Sequence, residues 1–378
     1  MSGDAARGTS SPAGDAPVPG VAERRRSPQP GGSAAVAGVV RAAARGRGDA
    51  RPAHSPGTPF LATDIGGTHA RMALVRADDG GAIEVLDTRK YACAAWPALA
   101  PIVADFLGGR MVDDAAVGCA GMRRGDTIVS INLPWPVSLP DLRALGIARA
   151  AAVNDFVAVA HATQCMGDAD GVALRPGVAA PAEPGPVLVV GPGTGFGAAL
   201  RVPAGDRWLV LASEAGQVSL APGTARERQL LAALQGERGY VSAEQVVTGP
   251  GLLQAYRTLC ALDGAAPRHA LPAGVAGAAA AGDDPHAAEA VAVFCAQFAS
   301  LLADTVLVTG ATRVFVAGGI VPKLLPLFER SDFGERFLDK GAMRPVLERV
   351  PVRVIDHPHK GVIGAASWYL QQSAIPAP

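Results

Sequence analysis

Cysteine is scarce in this chain of 378 residues, and the five present, at positions 93, 119, 165, 260 and 295, stand far apart. No C-x-x-C pair or Cys/His cluster exists to close a tetrahedral zinc site, so they read as small buried hydrophobes in a reducing compartment. Net charge is lacking too: Lys plus Arg and Asp plus Glu each total 34. That balance removes the bulk positive field of a nucleic-acid binder and the acidic excess that would seek a basic partner. Long apolar runs are missing as well, each being broken by Gly, Pro or charge before the ~20 residues a membrane-spanning helix needs. The expectation is a soluble, cytoplasmic protein with no nucleic-acid and no membrane partner.

The length fits roughly two domains. Met1 to Gly57 stands apart, rich in Gly, Ala, Pro, Ser and Arg with few aromatic or β-branched residues. Such a segment cannot bury enough apolar surface to offset its ordering entropy and is expected to be disordered. Arg24, Arg25 and Arg26 have no apolar stretch behind them that would make a targeting peptide. A flexible tail, or residues upstream of the true start, fits better. Ala34 to Ala44 could form a transient helix, but the flanking Gly and Pro argue against a helix-turn-helix domain.

Ordered structure is expected from about Pro59. Phe60 to Asp64 reads as a strand, Gly66 and Gly67 as a tight turn, and Arg71 to Arg76 as a returning strand. The device recurs where Val187 to Val190 leads into GPGTGFG (Gly191 to Gly197) and Ala198 to Val202 continues. A P-loop or a dinucleotide fingerprint would run into a helix, whereas these turns return into strands. One such turn is an ordinary hairpin. Two of them, each with a threonine, Thr68 and Thr194, are suited to grip a polyphosphate from both sides of a cleft. Glycine there would let phosphate oxygens reach the backbone amides and would permit positive φ. Asp64, at the end of a buried strand just before the first turn, is costly unless a cation meets it. Magnesium carried by a nucleoside triphosphate would do so, directly or through water; a cap on the hairpin amides is the alternative.

In AAAVNDFVAVAHA (Ala150 to Ala162) an apolar run is interrupted by Asn154 and Asp155 before an amphipathic helix begins. One of the pair can cap the helix, which leaves the other to face a cleft as acceptor for a hydroxyl proton. Glu214, in ASEAGQVSLAP, reads by itself as part of a polar surface turn. Glu244 follows Ser242 and reads equally as a first-turn helix acid or as a ligand. Trp135 fits core or cleft-wall packing and Asn132 a turn. His357 and His359 have H-x-H spacing but no third ligand nearby, and a turn before the closing helix explains them.

DIGGTHARMAL, VNDF, GPGTGFG, YVSAEQVVTGPGLLQAYR and VFVAGGIVPKLL occur in this order, and through them the chain resembles the bacterial glucokinase family from about Thr58 to Leu370. The resemblance implies an α/β fold of two actin-like (ribonuclease H-like) domains with a central cleft. Residues 58–168, completed by a C-terminal helix at 358–378, would form the small domain and residues 169–357 the large one. It also implies ATP and Mg2+, with phosphoryl transfer to the 6-hydroxyl of glucose or a related hexose, and a possible homodimer. Asp155 matches the family's catalytic base. Asn154, Glu214, Gln217 and Glu244 match sugar ligands, with Gln217 in the place of a histidine. Gly66, Gly67, Thr68, Gly193, Thr194 and Gly195 match the phosphate turns, and Gly318 and Gly319 the adenosine-side turn.

Two departures bear on the substrate. Where the family reads E-G-G-H, this chain has Glu214, Ala215, Gly216, Gln217, and His69 stands where the family often has Asn. Ala215 adds a methyl that could shift the loop, while Gln217 keeps a donor and an acceptor but loses the rigid ring. A kinase for another hexose, or a sugar-binding regulator with weak turnover, is therefore the alternative. The zinc cluster of the related ROK kinases is absent from the sequence, and no helix-turn-helix precedes the fold. Asp64 and Asp155 favour an enzyme.

Overall fold

Strand β1 (Phe60–Ile65) is buried along almost its whole length, as befits a strand inside a covered sheet. It pairs antiparallel with β2 (His69–Ala77) and parallel with β4 (Asp114–Cys119). With β3 (Ile83–Ala92) and β8 (Arg149–Val153) on the outside, the first sheet has the order β3-β2-β1-β4-β8. The computed structural model describes residues 54–130, 133–166, 170–178, 184–205, 207–236 and 239–373. The expected tail therefore lies almost wholly outside the described residues, as do Ala34 to Ala44 and Asn132.

The same plan is used twice. β10 (Val187–Pro192), β11 (Phe196–Ala204), β12 (Arg207–Ser213), β13 (Arg313–Val316) and β14 (Val352–Ile355) form a second sheet ordered β12-β11-β10-β13-β14, with β9 (Gly171–Arg175) antiparallel at its edge. Both expected hairpins are present, β1 with β2 and β10 with β11. Short strands β5 (Met122–Arg124), β6 (Thr127–Val129) and β7 (Val137–Ser138) make a third, small sheet.

Helices cover the sheets. One face of the first sheet packs on α1 (Leu99–Leu107) and α2 (Leu139–Ala144) around Phe106, Ile102, Leu139 and Trp135. Its other face packs on α3 (Asp155–Ala162) and α11 (Lys360–Ser373) through Phe60, Ala116, Ala158, Val362 and Tyr369. Against one face of the second sheet lie α4 (Ala225–Gln235), α5 (Gly249–Leu262), α6 (Pro272–Ala281), α7 (Pro285–Thr309) and α8 (Val321–Phe328), with α9 (Phe333–Leu338) and α10 (Arg344–Leu347) closing the end. Phe298 is the hub of that core, touching the rings of Phe196, Phe294, Phe328 and Phe333. At 25 residues α7 meets the length and apolarity of a membrane span, which amends the expectation that no such run exists. Of its most apolar window 67% is buried, as in the central helix of a packed core.

Helix α3 is shared between the sheets. Ala158 belongs to the apolar cluster of the first sheet, whereas Ala160 lies among Val187, Val189, Ala199 and Phe315 of the second. Its close crossing with α11 requires glycine, since a Cβ at Gly364 would collide with the Ala158 carbonyl.

The fold begins earlier than Pro59. His54 is buried, and its Nδ1 lies 2.8 Å from Asp114 Oδ2 at the start of β4. Arg149 Nη2 donates to the same carboxylate at 2.7 Å, and the Tyr369 hydroxyl of α11 donates to it at 2.5 Å. Burial alone would raise the pKa of Asp114; the hydrogen bonds from Arg149, Tyr369 and His54 override it and hold the group at about 2. A carboxyl depressed in the folded state contributes stability above its unfolded pKa and loses it as pH falls through the folded one. A chain beginning at residue 58 is expected to be less stable than one beginning at residue 54, by about 1–2 kcal/mol for the lost buried partner. His54→Ala in the full chain should reproduce the loss in thermal unfolding monitored by circular dichroism.

Candidate active site

The two hairpin turns are built alike. In the first, Gly66 N donates to His69 O at 3.0 Å, and Cys93 N donates to Thr68 O at 3.0 Å, tying the turn to β3. In the second, Gly193 N donates to Gly195 O at 2.8 Å, and Gly249 N, at the start of α5, donates to Gly193 O at 3.0 Å. Two of the amides expected to face a ligand, those of Gly66 and Gly193, are thus spent on the turns. The amides of Gly67, Thr68, Thr194 and Gly195 make no hydrogen bond within the described residues, and Gly67, Thr68, Thr194 and Gly195 are exposed.

Positive φ does not account for these glycines. Gly66, Gly67, Gly193 and Gly195 are all absent from the positive-φ residues of the chain. A Cβ at Gly66 or Gly193 would meet nothing closer than a carbonyl oxygen 3.7 Å away, and one at Gly195 would stand 3.3 Å from Glu244 Oε2. The space kept clear of side chain fits a bound polyphosphate. Of the third turn, Gly318 packs under β10, where a Cβ would lie 2.7 Å from the Gly191 carbonyl carbon, and Gly319 is exposed with nothing within 4 Å of its Cβ position.

Asp64, half-buried at the end of β1, has a cation of its own: Arg71 Nη1 donates to Oδ2 at 3.1 Å. The hairpin register puts Arg71 directly opposite Asp64, a pairing readable from the turn position that the sequence reading passed over. Behind it, a Cβ at Gly361 would run into the Asp64 carboxylate, so the start of α11 packs on it.

At the end of β8 the structure decides which of the two polar residues caps the helix. Asn154 Oδ1 accepts from Phe156 N at 3.0 Å and Val157 N at 3.1 Å, which leaves its side-chain NH2 free to donate. Asp155 is the first residue of α3. Burial pushes its pKa up to about 6, and the carboxylates of Asp64 and Glu214 push the same way against the amides of Phe156 and of Asp155 itself. Cys119 lies beside Asp155 and Asp64; burial first, and then those two charges, push its thiol up to about 12, so it is an inert wall.

Phe156 fixes where Asp155 stands. Its ring rests on the second hairpin, and a Cβ at Gly197 or Gly191 would collide with it. These two glycines, read from sequence only as part of a phosphate turn, are a seat for an aromatic ring from the other sheet. The alternating Gly191, Gly193, Gly195, Gly197 series was the available signal.

Glu214 is exposed and follows β12 directly, at the head of a 3-10 turn at Ala215–Gln217 closed by Gln217 N to Glu214 O at 2.9 Å. Its pKa is raised by burial and then by Glu244. Glu244 itself is in no α-helix and Ser242 makes no cap; Glu244 Oε2 accepts from Phe196 N at 2.8 Å beside the second turn. Asp155 thus feels the charges of Asp64 and Glu214, and Glu214 feels that of Glu244. The Ala215 methyl is buried in the core, while Gly216 is pressed to Phe196, where a Cβ would lie 2.6 Å from the Phe196 Cβ. Of the two loop positions that differ from the family pattern, only Gln217 is exposed. Trp135 is buried, donating from Nε1 to Cys93 O at 3.1 Å, which makes it core. His357 and His359 have ring centroids 5.8 Å apart, and no group of three metal-type ligands occurs among the described residues.

The Glucokinase family model matches residues 61–372. A glucokinase-like protein of Xylella fastidiosa is 45% identical over 327 residues, covering 85% of this chain and 97% of that one. A glucokinase of Saccharophagus degradans is 35% identical over 315 residues, covering 82% and 98%. The chain belongs to the glucokinase family. Among solved structures, the glucokinase of an Antarctic psychrotroph superposes with a TM-score of 0.75 at 31% identity, covering 83% of this chain and 99% of that one. The two repeated sheets are the actin-like fold of these sugar kinases.

If the turns hold phosphate, Gly66→Ala and Gly193→Ala should leave the unfolding free energy within about 0.5–1 kcal/mol of the parent, since neither Cβ meets a close neighbour. Affinity for a non-hydrolysable ATP analogue should fall at least tenfold in calorimetry.

Proposed function

We propose that this chain is an ATP-dependent hexokinase acting on glucose, with Asp155 as general base. The observation that carries the reading is a carboxylate held at about 6 at the start of a helix whose next residue is clamped to the second phosphate turn. A base of that pKa is mostly ionised at neutral pH yet basic enough to accept a hydroxyl proton. The sugar 6-hydroxyl would give its proton to Asp155 as the oxygen bonds to the γ-phosphorus, and the bond to the ADP oxygen breaks. Asn154 and Gln217 offer amide donors to the other hydroxyls, and Glu214 and Glu244 offer acceptors.

The free amides of Gly67, Thr68, Thr194 and Gly195 would cradle the phosphates, with Gly318 and Gly319 on the adenosine side. Asp64 has one oxygen left after Arg71 and would hold a magnesium ion arriving with ATP, directly or through water; that ion supplies charge neutralisation on the phosphates. Residues 58–168 with α11, and residues 169–357, are proposed as two domains that close on the sugar and exclude water, the competing nucleophile. A cytoplasmic enzyme, possible as a homodimer, completes the reading. A kinase for a related hexose is the second reading, supported by Gln217.

A coupled assay of ATP-to-ADP conversion over a panel of hexoses tests this directly. Glucose should stimulate ADP release, and Asp155→Asn should lower kcat at least 10³-fold while sugar binding persists, in keeping with loss of a base and its positioning. Sugar binding without stimulated ADP release in the parent chain would refute the enzyme reading. Activity should rise with pH through about 6 and level off above it, because only ionised Asp155 accepts the proton. A raised carboxyl pKa destabilises the fold as pH rises from the unfolded value, about 4, through the folded one, so Asp155→Asn should also melt higher at pH 7. Restoring the histidine in Gln217→His should lower the KM for glucose by several-fold; no change would remove Gln217 from the sugar site.

A further inference from the structure

The segment Asp356 to Lys360, DHPHK, has no part in the reading above, yet the fold delivers it to the first phosphate turn. Strand β14 ends at Ile355 and α11 starts at Lys360, one residue before the glycine whose backbone packs on the Asp64 carboxylate. Lys360 is half-buried, and the charged groups that face it are Asp356, Arg71 and Asp64. Asp64 already accepts from Arg71, and Asp356 is exposed. The Lys360 ammonium makes no hydrogen bond or ion pair among the described residues. His359 Nδ1 is buried without a partner in the same segment, and His359 also faces Arg71. One carboxylate of the cleft, adjoining the phosphate turn, thus has Arg71 and Lys360 beside it with only one of the two paired.

A half-buried ammonium without a partner is unfavourable unless an anion meets it. The anion that the neighbouring turn is shaped for is a polyphosphate.

We propose that Lys360 is a phosphate-contacting residue of the transfer site, placing a second cation beside Arg71 against the terminal phosphates of a nucleoside triphosphate. The proposal rests on the kinase reading for its substrate, and for its geometry on the packing of Gly361, the next residue, against the Asp64 carboxylate. Lysine suits the role because its ammonium is a compact charge on a flexible stem that can follow the phosphate during transfer.

The test compares the parent chain with Lys360→Met, Lys360→Gln and Lys360→Arg. Calorimetry would measure binding of a non-hydrolysable ATP analogue, of inorganic triphosphate and of AMP, and the coupled assay would give kcat/KM for ATP and KM for glucose. Expected are about tenfold weaker binding of the analogue and of triphosphate in the Met and Gln variants, and a ten- to hundredfold fall in kcat/KM for ATP. AMP affinity, KM for glucose and melting temperature should stay as in the parent, with Arg restoring most of the loss. Unchanged triphosphate binding in folded Met and Gln variants overturns the proposal, and so does an equal loss for AMP, which would mark a structural role. Failure of the kinase reading shows separately, as a parent chain that releases no sugar-dependent ADP; the triphosphate binding arm still decides the role of Lys360.

Discussion

The seating of the Phe156 ring on Gly191 and Gly197 is the constraint from which the site follows. It binds the first turn of α3 to a hairpin of the opposite sheet, so Asp155 cannot be placed by its own strand alone. Ala158 and Ala160 continue the same division, one packed toward each sheet. A helix with small residues on both sides can be shared in this way, because either sheet can approach its backbone closely. Gly364, where α11 crosses α3 at the Ala158 carbonyl, belongs to the same economy of space.

Close approach also sets the electrostatics. Drawing Asp155, Asp64, Glu214 and Glu244 together in a partly desolvated place costs free energy, visible in the raised pKa values of Asp155 and Glu214. Arg71 offsets part of that cost at Asp64, and the Phe196 amide accommodates one oxygen of Glu244. At Asp155 the amides of Phe156 and of Asp155 itself act in the same sense, but burial outweighs them. The fold therefore leaves Asp155 with its pKa raised to about 6, a perturbation of the kind that marks candidate functional groups. The buried Asp114 is the contrast: with Arg149, Tyr369 and His54 all donating to it, its pKa falls to about 2 and it serves stability.

Much of this was legible beforehand where one residue type has one physical reason. A strand, a glycine turn and a returning strand can be read from β-branched and apolar residues around Gly66 and Gly193, and both hairpins are where that pattern puts them. The junction at Asn154 and Asp155 was legible as a cap plus a spare polar group, though not which was which. Less was legible where a residue's purpose lies in something distant. Gly191 and Gly197 answer to Phe156, His54 answers to Asp114 sixty positions away, and Gly361 answers to Asp64. Positive φ was the wrong reason for the turn glycines, since open space and not dihedral freedom is what they provide.

By itself the sequence determined the repeated strand-turn-strand units and the family, because local hydrogen bonding and side-chain chemistry are written residue by residue. Only the tertiary structure decided which residues meet: that Asn154 caps and Asp155 is left beside Asp64 and Glu214, that Ala215 goes into the core while Gln217 is exposed, and that Lys360 returns from the far end of the chain to the neighbourhood of Asp64 and Arg71. The reason is that desolvation and charge act through space, over a few ångströms that sequence separation does not measure.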